Sequence, residues 1–158
     1  MHYLVRLMVE AEDAQEANNH AECVMNDLVE WREFDWYSTE ADEGRWEDCW
    51  KPVRLNTKKG KAMVQDAMQG QLEEFKRSMA AVRLMLDQYT DGQIFNEEFE
   101  QIEGHYLSRY QFSRASGYHA NACQLFDNGG CSITNQKQLD WYLKEPKGLW
   151  VVQVDCHN

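Results

Sequence analysis

The chain has 158 residues, of which 43% are hydrophobic and 12% aromatic. This length and composition predict one globular domain with a real core and argue against a disordered chain. No apolar run reaches membrane-spanning length, and Glu10, Glu12 and Asp13 come too early for a signal peptide. Five cysteines at irregular spacing do not resemble a disulfide framework, so we expect a reducing, cytoplasmic location.

The formal net charge is −11, and all of the excess lies in the first third of the chain. Residues 1–50 contain 14 Asp and Glu against 3 Lys and Arg, whereas residues 51–158 contain 13 of each kind. Direct binding to nucleic-acid phosphates needs a basic face, and this balance argues against it. The acidic first third favours a basic partner surface, with an acidic face that serves only solubility as the alternative.

Two apolar runs predict the central strands of a sheet, one at residues 2–9 and the other at residues 148–156. Near-continuous apolar character is typical of strands that are buried on both faces. We therefore expect the two terminal runs to lie side by side in the middle of one sheet. The side chains expected to be buried there are Leu4, Leu7, Val152 and Val154.

The segments between these runs alternate between helix and strand signals. Asp13 and Glu16 have the spacing of a capping box and predict a helix with an apolar stripe between residues 14 and 28. Short strands are predicted at residues 34–39 and 50–55, the second at a sheet edge because it contains Pro52. A long helix is predicted from about residue 58 to 89, a shorter one over 93–103, and strands over 105–112 and 121–126. Thr134 is the expected cap of a last helix.

This order predicts an α+β fold, a ferredoxin-like α/β sandwich with a mixed or antiparallel sheet. The chain is predicted to form a single domain over residues 1–158, in which residues 57–104 are a mostly helical insertion that includes the long helix.

Residues 31–50 combine six aromatic residues with seven acidic ones. Pooled aromatic residues are most often core residues, but aromatic residues beside acidic ones are also compatible with an interface hot spot. The members of this segment predicted to bind a partner are Trp36, Glu40, Asp42, Glu43, Arg45, Trp46, Glu47 and Asp48.

The long helix carries an apolar seam with alternating spacings of four and three residues: Met68, Leu72, Phe75, Met79, Val82, Leu86 and Tyr89. A strict heptad seam suits a second helix that runs nearly parallel or antiparallel. Packing within one chain, on a sheet or another helix, is one interpretation. A homodimer through residues 64–89 is the other.

Four residues in the last third are candidate zinc ligands: His119, Cys123, Cys131 and Cys156. Their spacing contains no Cys-x-x-Cys pair, and small buried cysteines are ordinary core residues. Cys156 and His157 are neighbours on a predicted strand, so they point to opposite faces and do not form a catalytic pair. We therefore expect no metal or other cofactor, and we assign no catalytic residue.

Three short motifs carry a resemblance: Phe34-Asp35-Trp36-Tyr37, Gly44-Arg45-Trp46 and Val154-Asp155-Cys156-His157. Through these motifs, the chain resembles small uncharacterised proteins of phages and related viruses. The resemblance covers both ends of the chain and not the long helix. The usual pattern has two glycines before Arg-Trp, and Glu43 replaces the first here. The resemblance implies a viral origin, an accessory role and a location in the host cell cytoplasm.

Two hypotheses about function follow from these patterns. The first is a non-enzymatic interaction protein that binds a basic partner surface through its acidic, aromatic-rich first third, with imitation of nucleic acid as one form of this binding. The second is a small enzyme or metal-binding protein that uses the Cys and His residues near the C-terminus.

Overall fold

The computed structural model of the chain describes residues 2–38, 46, 49–100, 102–116 and 124–157. The helices are α1 (Ala14–Glu30), α2 (Lys58–Gln88), α3 (Asp91–Phe95), α4 (Tyr110–Ser116) and α5 (Gln136–Lys144). The strands are β1 (His2–Glu10), β2 (Trp36–Ser38), β3 (Val53–Arg54), β4 (Leu125–Phe126) and β5 (Leu149–His157).

The two terminal strands form the centre of a mixed sheet with the order β2-β5-β1-β4. β1 and β5 pair antiparallel in a register that runs from His2 opposite His157 to Glu10 opposite Leu149. β4 pairs parallel to β1, and β2 and β3 pair antiparallel with successive parts of the other edge of β5. The predicted α+β class, mixed sheet, long helix and inner terminal strands are confirmed.

Helices cover both faces of this sheet, which explains the near-continuous apolar runs of β1 and β5. One face, here called the α1 face, buries side chains such as Leu7, Val152 and Val154 against α1. The other face, here called the α2 face, buries Met8 and Val151 against α2 and α5. Leu4 was predicted to be buried but is only half-buried.

The first helix follows its capping signals closely. The Asp13 side chain accepts a hydrogen bond from the Glu16 backbone N–H at 2.9 Å, and the Glu16 carboxylate accepts one from the Glu12 N–H at 2.6 Å. These bonds satisfy backbone donors that a helix start leaves unpaired. The buried stripe faces the sheet and consists of Ala17, Ala21, Val24, Met25 and Leu28.

The long helix α2 packs against different neighbours along its length. Its first half lies on the α2 face of the sheet, where Met63 and Val64 are buried. Gly60 is required near its start, because a Cβ atom there would lie 2.3 Å from the Arg54 carbonyl oxygen. Its second half packs against α4. This change of neighbour lets a helix about 45 Å long stay covered on one side beyond the sheet.

Two predictions for the segment after α2 are wrong in their details. The helix predicted over 93–103 ends at Phe95, and Glu97 then adopts a positive φ of 55° that a helix interior does not allow. The strand predicted over 105–112 is mostly irregular, and α4 begins at Tyr110. Packing against α2 outweighs the two-residue alternation of the aromatic residues there.

The last third of the chain shows two smaller differences. Of the strand predicted over 121–126, residues 121–123 lie outside the described residues, and the strand observed is β4. The cap of α5 is Asn135, whose side chain accepts a hydrogen bond from the Gln138 N–H at 3.0 Å. Thr134, the predicted cap, instead bonds to the Gln138 side chain.

Trp150 is a buried anchor of β5, and its substitution tests the core. It is 8% exposed, and its indole N–H donates a hydrogen bond to the Ala11 carbonyl at 2.9 Å. Trp150→Ala should lower the free energy of unfolding by about 3–5 kcal/mol, because it removes a large buried side chain. Urea denaturation measures this loss. Trp141→Ala is the matched control, since Trp141 is 67% exposed, and equal losses in both variants would contradict the assigned core.

Tyr142 joins α5 to the turn after β4, and this bond predicts alkaline sensitivity. Its hydroxyl donates a hydrogen bond to Asp127 at 2.8 Å, and burial together with this carboxylate raises the pKa of Tyr142 to about 12. The unfolded chain ionises near the ordinary pKa of about 10, so stability contributed by Tyr142 is complete below pH 10 and lost as pH rises towards 12. Thermal melts of Tyr142→Phe should show less of this alkaline loss than the wild type. An identical slope between pH 9 and 12 would contradict the assignment.

Candidate functional site

The outer surface of α1 is acidic and carries no compensating base. The helix contains no Lys or Arg, and Glu22, Asp27 and Glu30 are exposed on the side away from its buried stripe. Asp27 and Glu30 lie in the last turn, where the partial negative charge of the helix end makes acidic residues unfavourable by about 0.3–1 kcal/mol each. The placement of these charges therefore works against helix stability rather than for it.

Exposed tryptophans lie where this acidic surface continues into β2. Trp31 follows the end of α1 and is 58% exposed, and Trp36 begins β2 and is 44% exposed. Asp35 is exposed beside Trp36, and Glu33 is half-buried. From residue 10 to residue 38 the sequence contains only one basic residue apart from histidine, Arg32, which is exposed. Large apolar rings therefore lie in a stretch of the chain that is rich in acidic residues.

Of the residues predicted to bind a partner, the structure describes Trp36, which is exposed, and Trp46, which is half-buried. The other six lie outside the described residues: Glu40, Asp42, Glu43, Arg45, Glu47 and Asp48.

Backbone contacts with β5 fix the chain just before and just after residues 39–48. β2 ends at Ser38, opposite Asp155, and the Trp50 backbone N–H later donates a hydrogen bond to the Gln153 carbonyl at 2.7 Å. Trp50 has a positive φ of 60°, a left-handed conformation that is rare for a bulky residue. The chain therefore leaves β5 at Asp155 and contacts it again at Gln153, two residues away on that strand.

A polar cluster occupies the end of the α2 face beside β2. It contains two histidine–carboxylate pairs, His2 with Asp155 and His157 with Asp35. The Trp36 ring packs edge-on against His2, with ring centroids 5.9 Å apart. The two histidine–carboxylate pairs were not predicted as a site from the sequence. Only part of the signal lies in the sequence, because residues 155 and 157 share one face of a strand, whereas the register that places residue 2 opposite residue 157 comes from the folded chain.

Arg6 and Gln153 continue this polar end towards the apolar half of the same face. The Arg6 Nε donates a hydrogen bond to the Gln153 side-chain oxygen at 3.1 Å. Burial lowers the pKa of Arg6, an effect that Asp66 on α2 opposes. A half-buried guanidinium is therefore bonded to an amide and lies under the influence of a carboxylate on α2.

The cysteines proposed as metal ligands have unequal environments. Cys156 is fully buried on the α1 face, and burial followed by the nearby Asp155 raises the pKa of its thiol. Cys131 is exposed, while His119 and Cys123 lie outside the described residues. A buried neutral thiol is a poor nucleophile and a poor metal ligand. Within the described part of the chain, no three His, Cys, Asp or Glu side chains form a group able to hold a metal ion.

A groove of about 350 Å³ runs along the flank of α2. Met68, Leu72 and Phe75 form its apolar wall, and Arg114 of α4 and Asn135 before α5 form part of its rim. Leu72 and Phe75 are 43% and 44% exposed, and Leu86, further along α2, is 61% exposed. The predicted heptad seam is therefore split, since Met68 and Val82 are buried within the chain.

Comparison with known proteins places the chain in a family but assigns no activity. No curated protein and no solved structure matches the chain significantly. None of the helices formed by the described residues is both long and apolar enough to span a membrane. One family model matches residues 1–158, and the chain therefore belongs to the family described as Domain of unknown function (DUF7995).

Proposed function

We propose that this protein is a non-enzymatic interaction protein that binds a basic surface of a partner through the acidic surface of α1 and the residues that lead into β2. The observation that carries the proposal is the charge of α1, which has exposed acidic residues, no Lys or Arg, and acidic residues in its last turn. Because Asp27 and Glu30 oppose the helix dipole, helix stability does not account for these two charges.

Unbalanced charge of this kind accelerates association with an oppositely charged surface and sets the orientation of the encounter. Trp31 and Trp36 then supply apolar contact area beside the charges, and exposed tryptophans are frequent hot spots in protein interfaces. The predicted binding residues between Trp36 and Asp48 continue the excess of acidic residues along the sequence.

A nucleic-acid-binding protein is the basic partner that this surface suits best. Its site presents Lys and Arg to phosphates, and a rigid helix with outward carboxylates offers such a site a row of negative charges. In line with the viral resemblance of the short motifs, we place this imitation of nucleic acid in the cytoplasm of a host cell.

Charge reversal on α1 tests the proposal. The variant carries Glu22→Lys, Asp27→Lys and Glu30→Lys, and the probe is a fluorescently labelled lysine-rich peptide whose anisotropy is followed at increasing salt. Affinity of the wild type should fall steeply with salt, because exposed charges separated by more than about 10 Å are screened at 0.1 M. The variant should bind about tenfold more weakly at low salt.

The matched control reverses three exposed acids elsewhere: Asp87→Lys, Glu98→Lys and Glu145→Lys. Both triple variants change the net charge by the same amount, so only a local site distinguishes them. Equal weakening in the two variants would show that total charge, and not the α1 surface, drives binding. In a competition arm, a DNA duplex bound to the same peptide should be displaced by the wild type and retained with the α1 variant.

We also propose that the exposed flank of α2 is covered by the same flank of a second copy, in a homodimer through residues 64–89. Leu72 and Leu86 are both exposed and are two heptads apart, so they lie on nearly the same side of the helix. A two-fold interface places each copy's Leu86 near the other copy's groove, and heptad spacing suits a helix as the occupant of that groove.

Phe75→Glu tests this homodimer. A charge at an apolar interface position should convert the dimer to a monomer, whereas Trp141→Glu, at an exposed aromatic residue on α5, should leave the dimer intact. Light scattering across a dilution series measures the mass of each variant. A monomeric wild type at tens of micromolar rules out the stable dimer.

A further inference from the structure

Two histidines at one end of the α2 face have no role in the proposed interaction with a basic partner. His2 and His157 are opposite each other in the β1–β5 register, where strand pairing fixes their backbones. Their ring centroids are 5.3 Å apart, and the ring planes are inclined by 69°. Both side chains reach solvent, with exposed fractions of 32% for His2 and 39% for His157.

Each imidazole is held by a carboxylate through the same ring nitrogen. His2 Nδ1 lies 3.0 Å from both carboxylate oxygens of Asp155, and His157 Nδ1 lies 2.8 Å from Asp35 Oδ1. A carboxylate at Nδ1 favours the tautomer that carries its proton on that atom, and in this tautomer of a neutral imidazole the lone pair is on Nε2. Among the residues that the structure describes, neither Nε2 atom has a hydrogen-bond partner.

This arrangement is common around metal ions, where a ligating histidine almost always donates its other ring N–H to a carboxylate or carbonyl group. Asp155 is only 1% exposed, so its carboxylate is fixed within the fold and restricts the His2 ring to one orientation. The edge of the Trp36 ring against His2 further restricts the orientation of that imidazole.

We propose that His2 and His157 bind one divalent transition-metal ion of borderline softness, with Zn²⁺ as the representative, through their two Nε2 atoms. Zn–N bonds are about 2.0–2.1 Å long, so two imidazoles on one tetrahedral ion have ring centres about 5 Å apart. The observed separation of 5.3 Å is close to this value.

The rest of the coordination sphere follows from the same residues. No third His, Cys, Asp or Glu joins the pair as a ligand within the described part of the chain, so water completes the coordination. Asp155 and Asp35 offset the charge of the ion without bonding to it. Open positions are typical of exchangeable or catalytic sites, and imidazole ligands favour zinc, copper or nickel over Mg²⁺ and Ca²⁺.

Calorimetric titration of the full chain with ZnCl₂ tests the site. The wild type should bind one ion per chain, and His2→Gln and His157→Gln should each weaken binding at least tenfold. His20→Gln is the matched control, because His20 lies on α1, where its Nδ1 contacts the Glu10 carbonyl at 2.6 Å. Cys131→Ser is a second control, and both controls should bind like the wild type. MgCl₂ should give no saturable heat.

Two results would overturn the site: no saturable zinc binding by the wild type, or binding that persists unchanged in both histidine variants. If a variant fails to fold, histidine NMR signals of the wild type give the same decision. Zinc should then shift the signals of His2 and His157, and shifts confined to other histidines would refute the proposal. The α1 charge-reversal variant should retain zinc binding, which separates this site from the interaction surface.

Discussion

The antiparallel pairing of β1 with β5 is the interaction on which the rest of the structure depends. Nine residues of each strand are in register, and the alternation of their side chains supplies both cores at once. Leu7 and Val152 face α1, whereas Met8 and Val151 face α2 and α5. Because the side-chain period of a strand is two, a shift of one residue in the register of either strand would move its apolar side chains to the opposite face of the sheet.

The same register places polar side chains on the α2 face at the end of the sheet where β1 begins and β5 ends. His2 lies opposite His157, and the neighbouring pair brings Asp155 within hydrogen-bond distance of His2. Buried carboxylates are costly unless they are paired, so Asp155 at 1% exposure depends on its histidine. The strands that specify the fold thus also bring two histidine–carboxylate pairs together, to which Asp35, just before β2, contributes one carboxylate and Trp36, at the start of β2, a packing ring.

The acidic surface and the apolar flank lie on helices that cover opposite faces of the sheet. α1 covers one face and presents unbalanced negative charge outward, while α2 covers the other and exposes Leu72, Phe75 and Leu86 along its flank. A surface on α1 and a surface on α2 are therefore separated by the whole thickness of the sheet. The proposed contacts with a basic partner and with a second copy therefore use different helices, so neither contact excludes the other.

The sequence by itself determined the elements whose signals are local and redundant. Asp13 caps α1, the apolar runs form β1 and β5, and the excess acid of residues 10–38 appears on the outer surface of α1 because apolar positions take the inner one.

Only the tertiary structure decided the elements with weak local signals. Residues 110–116 form a helix that packs against α2, despite the alternation of their aromatic residues. Within α2, contacts with the rest of the chain bury Met68 and Val82, although the apolar seam is uniform in the sequence. The histidine–carboxylate cluster joins residues more than 100 positions apart, so strand pairing alone brings it together. Long-range contacts leave no periodic trace in a single sequence, which is why these features appear only in the folded chain.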